Sequence, residues 1–271
     1  MTLLKEYYDK NTKTLTIPHN FNEELNDIPE ETERIIFSEY EYSFSKFNKL
    51  VNNLPETLTH LTFGFCFNQP IDNLPKNLTH LIFSEHSIFN HSVENLPENL
   101  THLIFGYCFN QPIDNLPKKL THLFFHKYSI FDNLVNKLPE NLTHLTFGGG
   151  FNNKVDNLPL SLTYLTFGIE FNQSVDNLPE NLTHLTFDNK FNKSLNKLPL
   201  SLTHLSFTFS SQFKKSINNL PQNLTHLTLG YLFNEPINNL PPSIKEIIIR
   251  NSETKKYITK IPYGTIIIFG N

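Results

Sequence analysis

Histidine is the residue of this sequence with the widest chemical repertoire. Eight of the twelve histidines recur at one position of an internal repeat, and Tyr164 takes that position in a ninth copy: His60, His80, His102, His122, His144, His184, His204 and His226. Imidazole is a common metal ligand and acid–base group. A metal, however, needs ring nitrogens that converge at about 2 Å, whereas equivalent side chains on adjacent parallel strands stack face to face. We therefore predict no metal site. We expect a packed, exposed stack of mostly neutral rings, with a contact to a partner as the alternative.

Catalytic chemistry has no candidate that stands out from the repeat. Serine, histidine and aspartate are frequent, but they occur at repeat positions, so no catalytic triad can be distinguished. The sequence contains no phosphate-binding glycine loop, no HExxH and no CxxC. We predict that the protein is not an enzyme and needs no cofactor.

The two cysteines, Cys66 and Cys108, occupy equivalent positions 42 residues apart. Two coils of a repeat structure separate such positions by about 10 Å, which exceeds the Cα separation of about 7 Å that a disulfide allows. We therefore predict two free thiols and a reducing compartment.

Charge and composition exclude several classes of protein. The formal net charge is −4 and charged residues make up 18% of the chain, which argues against nucleic-acid binding driven by basic charge. No apolar run is long enough to span a bilayer and no secretory signal is evident, so we expect a cytoplasmic protein. The sequence has 17 prolines and no alanine, a composition that disfavours helices.

The main feature of the sequence is a repeat of 20 or 22 residues. The dipeptide Leu-Pro begins at ten positions, and a phenylalanine stands seven residues before each of them: Leu54, Leu74, Leu96, Leu116, Leu138, Leu158, Leu178, Leu198, Leu220 and Leu240. The segment from Phe to Pro never changes in length, so every two-residue insertion lies between a strand and the next Phe. A rigid unit that alternates with one tolerant loop is typical of a solenoid.

Each repeat also contains a short alternating segment such as His60-Leu61-Thr62-Phe63. Leu61 and Phe63 point to one face of a strand, and His60 and Thr62 point to the other. We predict 13 short parallel strands, one per coil, and little helix. In this reading residues 1–30 form an N-terminal cap and first coil, residues 31–250 the solenoid and residues 251–271 a C-terminal capping coil, all in one continuous domain.

The phrase L-P-x-x-L-x-x-L-x-F resembles the first half of a short leucine-rich repeat. The second half, as in Phe67-Asn68-Gln69-Pro70-Ile71 and Phe109-Asn110-Gln111-Pro112-Ile113, resembles the FNIP repeat. This resemblance covers roughly residues 15–270 and implies a leucine-rich-repeat-like solenoid from a family that is abundant in social amoebae and giant DNA viruses. Many viral members carry an N-terminal F-box, which we do not expect here because the first predicted strand begins near Leu15.

A break in the repeat marks a candidate binding surface. The second outward strand position is Thr or Ser in most coils, but three consecutive coils carry Ile82, Ile104 and Phe124. Three adjacent apolar groups on a polar face indicate a protein contact; cover by a loop or by the N-terminal part is the alternative. The residues predicted to contact a protein partner are this trio, the histidines that precede it and three loop aromatics: Ile82, Ile104, Phe124, His80, His102, His122, Phe65, Tyr107 and Tyr128.

These features favour a non-enzymatic protein-interaction module whose partner is a protein, not nucleic acid or membrane. A self-assembling structural protein is one alternative, and the resemblance suggests another, a substrate-recognition adaptor for a ubiquitin ligase that lacks its own F-box. The last strand, Ile266-Ile267-Ile268, is apolar. We predict that it is a buried last rung; an edge that forms a homo-oligomer is the alternative.

Overall fold

The computed structural model describes residues 4–39 and 43–270. Within these ranges the chain forms one 14-stranded sheet in which the strands follow one another in sequence order. Two short 3-10 helices, Leu4–Tyr7 and Ser252–Tyr257, are the only helices in the described ranges. The strands are β1 (Tyr8–Asp9), β2 (Thr14–Ile17), β3 (Arg34–Phe37), β4 (His60–Phe63), β5 (His80–Phe83), β6 (His102–Phe105), β7 (His122–Phe125), β8 (His144–Thr146), β9 (Tyr164–Thr166), β10 (His184–Phe187), β11 (His204–Phe207), β12 (His226–Leu229), β13 (Glu246–Ile249) and β14 (Ile266–Phe269).

Strands β2 to β14 are parallel, one per coil, and β1 pairs antiparallel with β2. The register joins equivalent repeat positions: His184 pairs with His204 and Leu185 with Leu205. The prediction of a solenoid with 13 parallel strands and little helix is confirmed.

Alternation along each strand decides which residues enter the core. In β4 Leu61 and Phe63 are fully buried, whereas His60 and Thr62 are half-buried on the opposite face. The Leu-Pro segment turns the chain before each strand, and the amide of Leu58, for example, donates to the carbonyl of Pro55 at 3.0 Å. Because every coil repeats this pattern, the leucines and phenylalanines stack into one continuous core.

Two columns of phenylalanine run through that core. In 20-residue coils the strand Phe and the following Phe stack closely, as in Phe63 and Phe67 with ring centroids 3.7 Å apart. In the 22-residue coils the pair is slightly wider, as in Phe83 and Phe89 at 4.1 Å. The insertion contributes a buried serine, Ser87, whose hydroxyl accepts from the amide of Phe89 at 3.2 Å. The insertions therefore leave the core stack intact.

A second ladder joins neighbouring coils through asparagine. The side-chain oxygen of Asn90 accepts from the amide of Asn110 at 2.9 Å, and the Asn110 oxygen accepts from the amide of Asp132 at 3.0 Å. Asp132 continues the ladder, because its carboxylate accepts from the amide of Asn152 at 2.8 Å. The amide of Lys214 donates to the side-chain oxygen of Asn192 at 3.0 Å, but the Lys214 side chain has no acceptor for the next coil.

The two ends of the sheet differ. At the N-terminal end Leu4 is buried and β1 covers the free edge of β2. At the C-terminal end β14 pairs in register with β13, but Ile266 is 62% exposed and Ile268 42% exposed. The prediction of a buried last rung is therefore wrong. The strand continues the register, but no coil among the described residues packs on its far side.

Candidate protein-interaction surface

The outer face of the sheet carries two rows of side chains, because each strand from β4 to β12 points its first and third residues away from the core. The first row is the histidine row: His60, His80, His102, His122, His144, Tyr164, His184, His204 and His226. The second row contains mostly threonine and is interrupted by the apolar trio: Thr62, Ile82, Ile104, Phe124, Thr146, Thr166, Thr186, Ser206 and Thr228.

The histidine row is a continuous stack of rings. Adjacent ring centroids lie 4.1–4.4 Å apart, and the planes are within 19° of parallel. Tyr164 keeps the stack unbroken at 4.4 Å from His144 and 4.2 Å from His184. A parallel stack does not direct nitrogens at one point, and no group of three His, Cys, Asp or Glu side chains in the described ranges is placed to hold a metal ion.

Each histidine of the row is held by the threonine that precedes it. The Thr121 hydroxyl lies 2.9 Å from Nδ1 of His122 and 3.2 Å from the carbonyl oxygen of Thr101 in the previous coil. The same pair of contacts occurs at all eight histidines of the row, with Oγ1–Nδ1 distances of 2.8–2.9 Å.

Burial lowers the pKa of seven histidines of the row, and in most of them neighbouring histidines add to the effect, which favours the neutral ring. Desolvation, together with the charges of His60 and His102 on either side, lowers the pKa of His80 to about 4. The pKa of His122 is lowered to about 4 for the same reasons, with His102 and His144 as its neighbours. Desolvation is also the first cause of the lowered pKa values of His60, His102, His144, His184 and His204.

The apolar trio lies beside the first half of this row. Ile82 pairs with Ile104, and Ile104 pairs with Phe124, so the three side chains are contiguous across β5, β6 and β7. All three are half-buried. Thr62 and Thr146 border the trio on its two sides.

The loops that leave strands β3 to β7 add an aromatic edge, defined here as Phe44, Phe65, His86, Tyr107 and Tyr128. Phe44 and Phe65 have ring centroids 4.8 Å apart, and Phe44 meets His86 edge-on at 6.0 Å. Tyr107 and Tyr128 are 44% and 53% exposed. Sequence reasoning found three members of this edge and missed Phe44 and His86. Counting two or three residues back from each repeat phenylalanine would have found both.

Sequence reasoning also missed apolar residues at the same outer position elsewhere. Ile36 in β3 is 39% exposed, and Ile248 of β13 pairs with Ile268 of β14. The trio is therefore one of two places in the described sheet where adjacent outer positions are apolar, and the second lies at the C-terminal end.

Two further observations concern the environment of the protein. Cys66 and Cys108 are free thiols, and both are half-buried. No helix in the described ranges has the length and apolar character needed to cross a membrane.

The repeats match a known family model. Five FNIP repeats are detected at residues 47–86, 89–128, 133–170, 171–210 and 213–252. The chain belongs to the FNIP repeat family. Among curated proteins no match is found.

Two solved structures place this FNIP protein among leucine-rich-repeat solenoids. It is 40% identical to CroV588, described as a circular leucine-rich-repeat protein and coming from a giant virus, with a TM-score of 0.79 over 94% of this chain and 43% of that one. YopM from Yersinia enterocolitica shares the fold, with 22% identity and a TM-score of 0.58 over 81% of this chain and 47% of that one. The chain thus spans less than half the length of either neighbour. Such solenoid families commonly serve protein interaction and are typically non-catalytic.

Proposed function

We propose that this FNIP protein is a non-enzymatic protein-interaction module that binds a protein partner through its outer sheet face. One observation carries the proposal: the trio of Ile82, Ile104 and Phe124 is contiguous in register, and the polar Thr62 and Thr146 flank it on the outer face. The aromatic edge beside it supplies exposed rings of the kind that dominate binding energy at protein interfaces. All three side chains are already half-buried, so covering the rest of them against a partner would contribute about 2–4 kcal/mol before entropic costs.

The test is the double variant Ile104→Thr, Phe124→Ser, which restores the polar residues of the other coils. We expect the fold to survive, because both side chains lie on the outer face, and partner binding to fall by at least about tenfold. Circular dichroism and thermal unfolding check the fold. Quantitative pull-down from an amoebal lysate, followed by mass spectrometry, compares the proteins that each variant retains.

Thr186→Ser is the matched control, since it changes an outer position away from the trio. A partner that is lost from the double variant and kept by Thr186→Ser supports the proposal. Equal recovery from both variants contradicts it, and unfolding of the double variant would assign the trio a structural role.

A second candidate function is self-association through the C-terminal edge. It is favoured by the exposure of Ile266, Ile268 and Phe269 in β14, since an apolar edge strand readily pairs with another strand. We expect wild-type protein to show a concentration-dependent dimer by size-exclusion chromatography with light scattering. Ile268→Lys should yield a monomer, and a wild-type monomer at every concentration would contradict this candidate.

Cellular context remains part of the proposal. The two free thiols are compatible with a reducing compartment, and we infer the cytoplasm, which would be that of the host for a viral protein. The role of a ubiquitin-ligase adaptor stays a prediction from the family resemblance.

A further inference from the structure

The hydrogen bonds around the histidine row determine which ring nitrogen carries the proton. A threonine hydroxyl has one proton to donate. The Thr121 hydroxyl lies 3.2 Å from the Thr101 carbonyl oxygen, which can only accept, and 2.9 Å from Nδ1 of His122. If the hydroxyl donates to the carbonyl, Nδ1 must carry a proton and donate to the hydroxyl oxygen. The opposite assignment would leave two oxygen acceptors in contact with no proton between them.

Tyr164 provides an internal control for this assignment. Thr163 precedes a residue with no ring nitrogen, and its hydroxyl still donates to the carbonyl of Thr143, at 3.2 Å. The bond from hydroxyl to carbonyl is therefore a property of the coil and does not depend on the histidine. The same bond occurs before every histidine of the row, at 3.0–3.2 Å.

A histidine with its proton on Nδ1 has a bare lone pair on Nε2. Nδ1 points along the strand to the preceding threonine, and no side chain or backbone group of the described residues bonds Nε2 of the row. The lowered pKa values of His80 and His122 favour the neutral form of these two rings. The row thus presents a line of acceptors, with one ring about every 4.2 Å.

We propose that this line of Nε2 atoms is a hydrogen-bond-acceptor strip, and that the partner segment bound by the outer face carries guanidinium or ammonium donors. This inference rests on the proposed function and adds the chemistry of the partner. A lone pair on a neutral imidazole accepts from any donor, and Arg and Lys side chains offer several donors and no acceptor of their own, which suits a row of acceptors.

The neighbouring charges and rings are compatible with a basic segment. Acidic residues stand at both ends of the row: Glu246 pairs with His226 in the sheet, and the charge of Glu33 acts on His60, although Glu33 already pairs with Lys13. The aromatic edge can also stack with a cation, as Lys127 does over Tyr128 at 5.5 Å. A basic residue, Arg34, pairs with His60 in the sheet and helps to lower the pKa of His60 and His80.

The tautomer is tested first, without any partner. Long-range proton–nitrogen correlation spectra of the histidine rings at neutral pH should show protonated Nδ1 and bare Nε2 for the eight histidines of the row. Thr121→Val should shift His122 toward a mixture of tautomers, whereas the matched Thr163→Val, beside Tyr164, should leave every histidine signal in place. Protonated Nε2 in the wild-type row would overturn the inference.

Partner chemistry is tested with defined probes. The fluorescent probe is a peptide of alternating arginine and leucine, and the control peptide has glutamate in place of arginine. We expect the arginine peptide to bind at least about tenfold more tightly. The variant His102→Phe, His122→Phe keeps the aromatic stack and removes two acceptors. It should therefore abolish most of the difference in affinity between the arginine peptide and the glutamate peptide.

Equal binding of the two peptides, or arginine binding unchanged in the phenylalanine variant, would overturn the inference. The proposed function is tested by a different experiment. It would be contradicted if the Ile104→Thr, Phe124→Ser variant retained every protein partner that the wild type captures.

Discussion

At the scale of the residue, the histidine row makes stability depend on pH. The folded pKa of His80 and of His122 is about 4, below the usual 6.5, so the unfolded chain takes up protons before the folded chain does. Stability from these groups is fully present above pH 6.5 and is lost as the pH falls toward about 4. We expect a loss on the order of 1 kcal/mol for each of the two, because solvent contact screens part of the charge.

Urea unfolding at about pH 7 and about pH 5 measures this loss. The groups that face these rings are the adjacent histidines on both sides and Arg34 at the first rung. The variant His80→Phe, His122→Phe keeps the stack without titrating, so its stability should change less between the two pH values. An equal change in wild type and variant would contradict the assignment.

At the scale of the element, the glycines of the 20-residue coils set how closely two loops approach. A Cβ atom on Gly168 would lie 2.1 Å from the carbonyl oxygen of Gly148 and 2.4 Å from its carbonyl carbon. These are backbone atoms of the preceding coil and cannot rotate away. We expect Gly168→Ala to destabilise the protein by roughly 2–3 kcal/mol, because the two coils must separate.

Gly270→Ala is the matched control for that substitution. Its Cβ would meet only Arg250, at 3.5 Å, an ordinary contact with a flexible side chain. Thermal unfolding of both variants should show a clearly lower midpoint for Gly168→Ala alone. Equal midpoints would mean that the loops at Gly148 and Gly168 can move apart without a loss of stability.

At the scale of the whole molecule, stability should fall toward the C-terminal end. Each coil of a solenoid contacts only its neighbours, and β14 has a neighbour on one side, with Ile266 and Ile268 exposed. We expect amides of β14 to exchange with solvent at least about 100-fold faster than those of β7, which lies between two paired strands. Hydrogen exchange followed by mass spectrometry measures the difference.

If β14 exchanges slowly, repeating the measurement at several protein concentrations distinguishes self-association from burial of β14 within the monomer. Slow exchange in β14 that becomes fast on dilution would support the self-association candidate. Slow exchange at all concentrations would contradict the exposed position of β14.

Sequence by itself determined the architecture. The spacing of Leu-Pro and Phe placed each strand to within a residue or two, and alternation assigned Leu61 and Phe63 to the core and His60 to the outer face. It also placed Ile82, Ile104 and Phe124 side by side. These features are predictable because every coil makes the same contacts with the next, so the periodic pattern already contains the tertiary neighbours.

Only the tertiary structure decided the features that depend on contacts between unlike segments. The contacts of Phe44 with Phe65 and His86 join loops of three different coils, and the repeat spacing does not show which of these rings meet. The proton position in the histidine row follows from a hydroxyl that reaches a carbonyl of the previous coil. The exposure of β14 depends on whether anything packs beyond it. The apolar sequence of β14 does not reveal whether the strand is buried, because the burial of a side chain depends on the segments that pack against it.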